Sequence, residues 1–453
     1  MLEKNQVVEV VCTGVGADFE GVCRVEGQVV FVRGALPGEV MRAKVIKVAK
    51  NYAVARMEQR LKRSPERVEP PCAYYPRCGG CTAQHMAYAA TLEHKRQQVV
   101  DCLERIGGFK GPEVAETLGM EAPWRYRNKG AFPVGGRSGA PVLGIYAARS
   151  HDIVDAPAGC LLQTQQSDKL VDAVRRWMVA YKVEPYVEEL HQGLVRHVMT
   201  REAADGTSML VLVINGKKIP HANELIGVAA EAAPGLRSIV LSENTRRTNV
   251  ILGDRLYTLW GEDALEDEIA GFHMRVSPRT FFQVNRVQAE ALYAQAIAYA
   301  ALTGQETVWD VYCGCGTITL PLASKAKHVT GIEIVEDAIA DARKNARMNG
   351  VGNVDFIAGA AEVVLPELVR TRGRPDVVVL DPPRKGCDPA ALEAIAQVGP
   401  ERIVYVSCNP ATLARDLKLL AEKGYMPGRV QPVDMFAWTG HVECVAVISK
   451  AGK

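Results

Sequence analysis

The sequence lacks most features that would place it outside the globular enzymes. No stretch approaches the roughly 18 consecutive apolar residues that a membrane-crossing helix needs, and the amino terminus, MLEKNQVVEV, has no basic segment followed by an apolar one. The expectation is a cytoplasmic protein with no membrane partner. An excess of one charge is also lacking, since 54 basic and 52 acidic residues leave a formal net charge of +2, so total charge selects no partner. Aromatic residues are sparse at 6%, and no segment repeats. What is present is ordinary for a folded chain: 48% hydrophobic and 23% charged residues exclude a largely disordered or low-complexity protein. At about 100 to 200 residues per domain, 453 residues make two to four domains, each able to bury a core without disulfide or metal staples. The twelve cysteines of a cytoplasmic chain should be mostly reduced, so packing, metal or catalysis has to account for them.

Residues 1–60 alternate apolar and polar with glycine turns at intervals of about ten residues, the pattern of a small β-barrel. Between residues 40 and 67 stand nine Lys/Arg, from Arg42 to Arg67, against the acids Glu58 and Glu66, so the balanced total hides a basic module. Such a module suits nucleic acid, although solvated strand faces are charged too. The segment SPERVEPP leads into a cysteine cluster and a helix that ends at Gly107-Gly108, and short strands follow from about 124 to 260. Basic residues recur there as Arg125, Arg127, Lys129, Arg196 and Arg201. After the acidic run EDALEDE, from about residue 270, strands alternate with helices, which predicts a doubly wound sheet with ligands beyond the carboxyl ends of its strands. Three units result: a barrel over 1–60, a β-rich unit over 61–268 and an α/β unit over 269–453.

The first strand of the α/β unit runs into Asp310-Val-Tyr312-Cys-Gly314-Cys-Gly316, and Glu333 closes the second. The glycines let a ligand approach the backbone, and a carboxylate at that second position suits ribose hydroxyls. The third glycine of the dinucleotide fingerprint is missing, Thr319 standing there, so a nucleoside cofactor without pyrophosphate, such as S-adenosylmethionine, fits better. A plain strand-to-helix turn would carry the same glycines. The fourth strand ends in Asp381-Pro-Pro-Arg384-Lys385-Gly386, where the prolines hold a carboxylate at the sheet edge and leave two cations for phosphate or solvent. The next ends in Ser407-Cys408-Asn409-Pro410, with Cys408 where partly orphaned helix N–H groups can stabilise a thiolate, unless it is simply a small buried hydrophobe. Glu443 opens the last strand as a candidate general base or a solvated strand end. Cys72, Cys78, Cys81 and the distant Cys160 form a four-thiol set that suits tetrahedral zinc or an iron-sulfur cluster equally.

In this order SPRTFFQVN, DVYCGCGT, DPPRKG, SCNP and HVECV resemble the RNA (uracil-5-)-methyltransferase family, and the resemblance covers nearly the whole chain. The four cysteines behind a basic barrel resemble its iron-sulfur branch, which acts on 23S ribosomal RNA, whereas the transfer RNA branch typically lacks both features. The resemblance implies an OB-like TRAM barrel, a β-rich central domain with a [4Fe-4S] cluster on Cys72, Cys78, Cys81 and Cys160, and a class I, Rossmann-like, S-adenosylmethionine-dependent methyltransferase domain. It implies C5-methylation of one or two uridines in naked 23S RNA or an assembly intermediate, with no obligate protein partner. Cys408 matches the nucleophile that adds to uracil C6, and Glu443 the base that removes the C5 proton. Gln283, Tyr312, Glu333 and Asp381 match cofactor-holding positions. Ala360 departs from relatives that carry Asn there, leaving only backbone for contact.

A nicotinamide oxidoreductase would predict the missing third glycine and would give Cys408 no role. A non-catalytic RNA-binding or assembly protein would use the barrel and the basic strands and keep a relic cofactor pocket, and an N-methyltransferase would need no thiol. A transfer RNA uridine methyltransferase is the nearest alternative within the resemblance.

Overall fold

The computed structural model describes residues 2–450. The barrel consists of β1 (Val7–Val15), β2 (Gly21–Val25), β3 (Gln28–Val32), β4 (Val40–Val48) and β5 (Tyr52–Lys62), closed in the order β1-β2-β3-β5-β4. Alternation puts Val10, Cys12, Val30, Met41, Val45 and Ala53 inside, and closure leaves no sheet edge. Glu26 and Gly27, both at positive φ, make the tight β2–β3 turn.

Helix α1 (Tyr88–Cys102) runs on into a π-helical turn, Leu103–Gly107, closed by Gly108 at φ 78°. The central sheet has the order β12-β11-β10-β9-β6-β7-β8. Its strands are β6 (Lys129–Arg137), β7 (Ala140–Tyr146), β8 (Ile153–Asp155), β9 (Val195–Glu202), β10 (Ser208–Ile214), β11 (Leu236–Glu243) and β12 (Arg255–Gly261). Leu210, Leu212 and Ile214 of β10 pack with α2 (Gln165–Ala180) and α3 (Ala222–Ala232), while Met209, Val211 and Val213 join a second core on the other face. Both helices lie where only strands and loops are expected from the sequence. The segment TNVILGD (248–254), inside the stretch expected to hold short strands, is a loop, because the Asn244 side-chain amide donates to the carbonyls of Val250 and Ile251 at 2.8 and 2.9 Å.

A hairpin of β13 (Leu265–Ile269) and β14 (Phe272–Val276) leads through α4 (Arg286–Ala300) into the α/β unit. There β15 (Thr307–Val311), β16 (His328–Glu333), β17 (Val354–Ala358), β18 (Val377–Leu380) and β19 (Arg402–Ser407) alternate with α5 (Thr319–Ala323), α6 (Glu336–Met348), α7 (Ala361–Arg372), α8 (Pro389–Val398) and α9 (Pro410–Glu422). The chain ends with β20 (Tyr425–Val433) and β21 (Glu443–Lys450), giving the order β17-β16-β15-β18-β19-β21-β20. All neighbours are parallel except β21, which is antiparallel to β19 and β20. The order reverses between β15 and β18, the place where such sheets open a ligand crevice.

Residues of the middle segment belong physically to this unit. Val99, Leu103 and Val114 are buried in its core beside Leu413 and Leu417, and Val114 and Leu118 bridge in parallel to Val430 and Val433 of β20.

Candidate active site

The turn after β15 is built for close approach. Tyr312 takes φ 71°, Gly314 54° and Gly316 90°, and the Tyr312 and Cys313 N–H groups both donate to the Ile332 carbonyl at 2.8 and 3.1 Å. Glu333 caps the same turn, its carboxylate accepting from Gly314 N–H at 3.3 Å and Val335 N–H at 3.0 Å. Asp310 is fully buried, accepts from the Thr319 hydroxyl at 2.5 Å, and keeps a second oxygen unpartnered. Burial, helped by Glu333, pushes it up to about 7. A glycine-lined turn, a carboxylate at the end of β16 and no side chain filling the space fit a nucleoside cofactor. Ala360 lines the same cavity as the N-cap residue of α7.

Asp381 follows β18, Cys408 follows β19 and Glu443 opens β21, so the register of three neighbouring strands brings them to one edge. Burial raises the Asp381 carboxyl to about 7, with Asp310 adding to it. Burial and then Asp381 raise Glu443 to about 8. Cys408 is pushed up to about 11 by burial, then by Glu443 and Asp381, against the opposing pull of Arg384. Beside it, Asn409 spends its side-chain oxygen on Ala411 N–H at 3.1 Å, and the Ser407 hydroxyl accepts from Asn409 N–H at 3.2 Å.

Gln283 lies on the loop before α4, tied down where the Asn128 side-chain amide donates to its carbonyl at 2.9 Å. The buried Arg201 braces that loop through the Thr280 carbonyl at 2.5 Å. Tyr312, Glu333, Asp381, Cys408, Glu443 and Gln283 therefore line one cavity of about 2650 Å³. Its wall extends to the barrel, which contributes Phe31, Lys47, Tyr52 and Arg56, and to the cysteine segment, which contributes Tyr75 and His85.

The basic residues sort differently from their count. Arg60 and Arg67 both hold the buried Glu39, at 2.9 and 2.6 Å; burial alone would raise that carboxyl, yet these cations bring it below its ordinary value. Arg125 is spent on the Cys160 and Gln163 carbonyls and on Asp168, and Arg196 on the carbonyls of Asn244, Arg246 and Thr248. Of the basic residues read between 124 and 260, Arg127 is the one on the cavity wall.

All four cysteines of the proposed ligand set carry free thiols. They share one neighbourhood: burial and then its partners Cys160, Cys78 and Cys72 raise the Cys81 thiol to about 12. Among the described residues, however, no three His, Cys, Asp or Glu side chains converge closely enough to hold a metal ion, so the expected iron-sulfur site gains no support from this arrangement. The donor chemistry fits such a group; the spacing of the side chains does not enclose an ion.

Reading the sequence missed Lys95, Asp434 and Trp438, which support the segment before Glu443. Their signal was weak: a lysine in an amphipathic helix and an apolar run, DMFAWTG, without a recognisable turn.

The fold and this cavity define a class I methyltransferase joined to a β-barrel that shares the cavity wall. Residues 261–451 match the tRNA (uracil-5-)-methyltransferase family and residues 2–57 the TRAM domain. An RNA methyltransferase of Halalkalibacterium halodurans is 48% identical over 448 residues, covering 99% of this chain and 98% of the relative. One from Listeria monocytogenes is 49% identical over 449 residues, with 99% and 98% covered. The crystal structure of Pyrococcus abyssi tRNA (uracil-54, C5)-methyltransferase in complex with S-adenosyl-L-homocysteine superposes with a TM-score of 0.76 at 27% identity, over 97% of this chain and 100% of that one. The chain belongs to the (uracil-5-)-methyltransferase family of RNA methyltransferases and is a methyltransferase that uses S-adenosylmethionine.

Proposed function

We propose that the protein methylates C5 of uridine in 23S ribosomal RNA, as naked RNA or an assembly intermediate, through a covalent adduct with Cys408. The observation that carries the reading is the meeting of one thiol and two buried carboxyls at a sheet edge inside a cavity that also holds the glycine turn and a face of the barrel. Uracil C5 is a poor nucleophile. Cys408 gives its proton to the Asp381 carboxylate, which leaves Glu443 free for the later step, and adds through Sγ to C6, which moves the C5–C6 π electrons toward C5 and O4. S-adenosylmethionine, when bound, supplies an electrophilic methyl group for C5. Glu443 then takes the C5 proton, the C5–C6 double bond re-forms, and the Cys408 thiolate leaves. Glu333 and Tyr312 hold the cofactor's nucleoside, and Gln283 and Asp381 border the reacting end. The base must be flipped out or already unstacked, since stacking hides the C5–C6 face.

The Pyrococcus protein, which acts on tRNA, shares the full architecture, so a transfer RNA uridine is the second reading. Mass mapping of 5-methyluridine in both RNAs from a strain lacking the gene separates them. Loss of one or two ribosomal marks is expected, and loss from transfer RNA alone would refute the ribosomal assignment.

We infer further that Cys72, Cys78, Cys81 and Cys160 hold a [4Fe-4S] cluster, on the strength of four free, mutually influencing thiols and the family resemblance. Anaerobically purified protein should be brown and contain iron and acid-labile sulfide. One equivalent of zinc without sulfide would overturn this.

A further inference from the structure

Lys95, in the middle of α1, is completely buried, and its ammonium donates to Asp434 Oδ1 at 2.5 Å and to the Phe436 carbonyl at 3.1 Å. The other Asp434 oxygen accepts from the Tyr88 hydroxyl at 2.6 Å, which itself accepts from Met120 N–H at 2.9 Å. Buried ion pairs seldom repay their desolvation in stability, so a gain in stability is a poor account of this one. Its position is more telling. Asp434 begins the segment 434–442 that joins β20 to β21 and ends against Glu443.

The same segment is gripped from other sides. Trp438 holds φ 65°, a costly conformation for a bulky residue, and its carbonyl accepts from Thr82 and Ala83 N–H at 2.8 and 3.1 Å. Its indole N–H donates to the Pro123 carbonyl at 2.9 Å, and its ring stacks on Trp124 with centroids 4.5 Å apart. At Gly440 the barrel comes so close that a Cβ would lie 1.9 Å from the Ala17 carbonyl oxygen. Helix α1, the residues after Cys81, the 120–124 turn and the barrel therefore converge on the segment that leads into Glu443. Phe436, Thr439, Gly440 and His441 of that segment line the cavity together with Glu443.

We propose that Lys95, acting with Tyr88 through Asp434, is a positioning residue for Glu443. Strand pairing of β21 fixes the far side of Glu443, where Cys444 faces Ser407, and the clamp at Asp434 fixes the near side. Without the ammonium, Asp434 loses its charge partner inside the protein, and the segment must rearrange to reach water. The inference rests on the reading of Glu443 as the base that removes the C5 proton.

The test separates adduct formation from proton removal in the full-length protein. RNA containing 5-fluorouridine traps the adduct, because fluorine cannot leave C5 as a cation, so trapping reports Cys408 without Glu443. Lys95→Met should trap fluorinated RNA at close to the wild-type rate. Its turnover on ordinary RNA should fall about 10- to 100-fold, as expected for a misplacement near 1 Å, while a denaturation-resistant protein–RNA complex accumulates. Tyr88→Phe keeps the ring and removes one hydroxyl. It should show the same pattern more mildly, and it decides the question if Lys95→Met does not fold. Trapping and turnover falling together in proportion to the folded fraction, or unchanged turnover in both variants, would overturn the proposal. Glu443→Gln is the reference: if it accumulates complex and the Lys95 and Tyr88 variants do not, the clamp alone is refuted. Free turnover by Glu443→Gln would refute the reading of the base, and this inference with it.

Discussion

In the free protein Cys408 sits beside Glu443 and Asp381, and after burial itself these two carboxyls hold its thiol up at about 11. Alkylation of Cys408, read by peptide mass, should therefore be slow and should accelerate about tenfold per pH unit below about pH 6, but less steeply between about pH 7 and 9, where Asp381 and Glu443 ionise and hold the thiol up. Glu443→Gln removes the carboxyl with the larger effect on the thiol. Alkylation of that variant should be faster than wild type above about pH 8, where Glu443 is ionised, and equal to it near pH 6, where Glu443 is protonated. Faster alkylation at pH 6 as well would mean that the substitution acts through exposure instead of charge. The same carboxyls carry a stability cost whose sign is fixed. Asp310 and Asp381 lie near 7 and Glu443 near 8, all above the ordinary carboxylate range, so the folded state favours their protonated forms. Their contribution is fully present below about pH 4 and is lost as pH rises through 7 to 8. Glu443→Gln should accordingly raise Tm at pH 8.5 by roughly 2–4 °C for each kcal/mol relieved, with no gain at pH 4, as checked by calorimetry at the two pH values. An active-site group that costs stability is the usual trade for chemistry.

At the scale of elements, the loop after β18 depends on Gly386, which has φ 80° and no room for a side chain: a Cβ would lie 2.5 Å from the Arg415 guanidinium and 2.6 Å from Asp416. Asp416 is buried and accepts from Tyr405 at 2.6 Å and Cys387 N–H at 2.9 Å, so it cannot yield cheaply. Gly386→Ala should lower methylation at least tenfold while leaving the far-ultraviolet circular dichroism spectrum unchanged, because the strain falls on the loop holding Asp381 and Arg384. Wild-type activity would show that the loop relaxes freely. This loop, the glycine turn and the SCNP motif were legible in the sequence because each marks a strand end with residues that a mere turn does not require. Other elements were not. The helix α7 contains Pro366, which argues against a helix locally, and α4 is an alanine-rich stretch with little contrast between its faces. For α2 the signal existed: Thr164 caps Ser167 N–H at 3.1 Å, and Leu170, Val171, Val174, Trp177 and Met178 fall on one face. Lys95 and Asp434, separated by more than three hundred positions, carry no local pattern that announces their pairing.

Across the whole molecule, the cavity joins three parts of the chain, and its charge is not spread as the sequence count suggests. Arg60 and Arg67 neutralise Glu39, and Arg125, Arg196 and Arg201 bind carbonyls inside the fold, so the cations left for phosphate on the cavity wall include Lys47, Arg56, Arg127, Arg384 and Lys385. Lys47 and Arg56 lie on the barrel beside Phe31 and Tyr52, whose rings meet edge to face at 5.7 Å, a wall with both charge and a surface on which an unpaired base can stack. If these cations neutralise about four to six phosphates, affinity for structured RNA should fall with salt at a log-log slope of roughly −3 to −5. Lys47→Ala and Arg56→Ala should each reduce the magnitude of that slope by about one and weaken binding of all RNAs alike, with S-adenosylmethionine binding unchanged in a calorimetric titration. Arg125→Ala should behave in the opposite way: it frees no phosphate contact but releases the Cys160 carbonyl, so the slope should stay at the wild-type value while the four-cysteine segment loses stability. An Arg125→Ala slope reduced like that of Lys47→Ala would place RNA across the central sheet and displace the barrel wall as its main electrostatic contact.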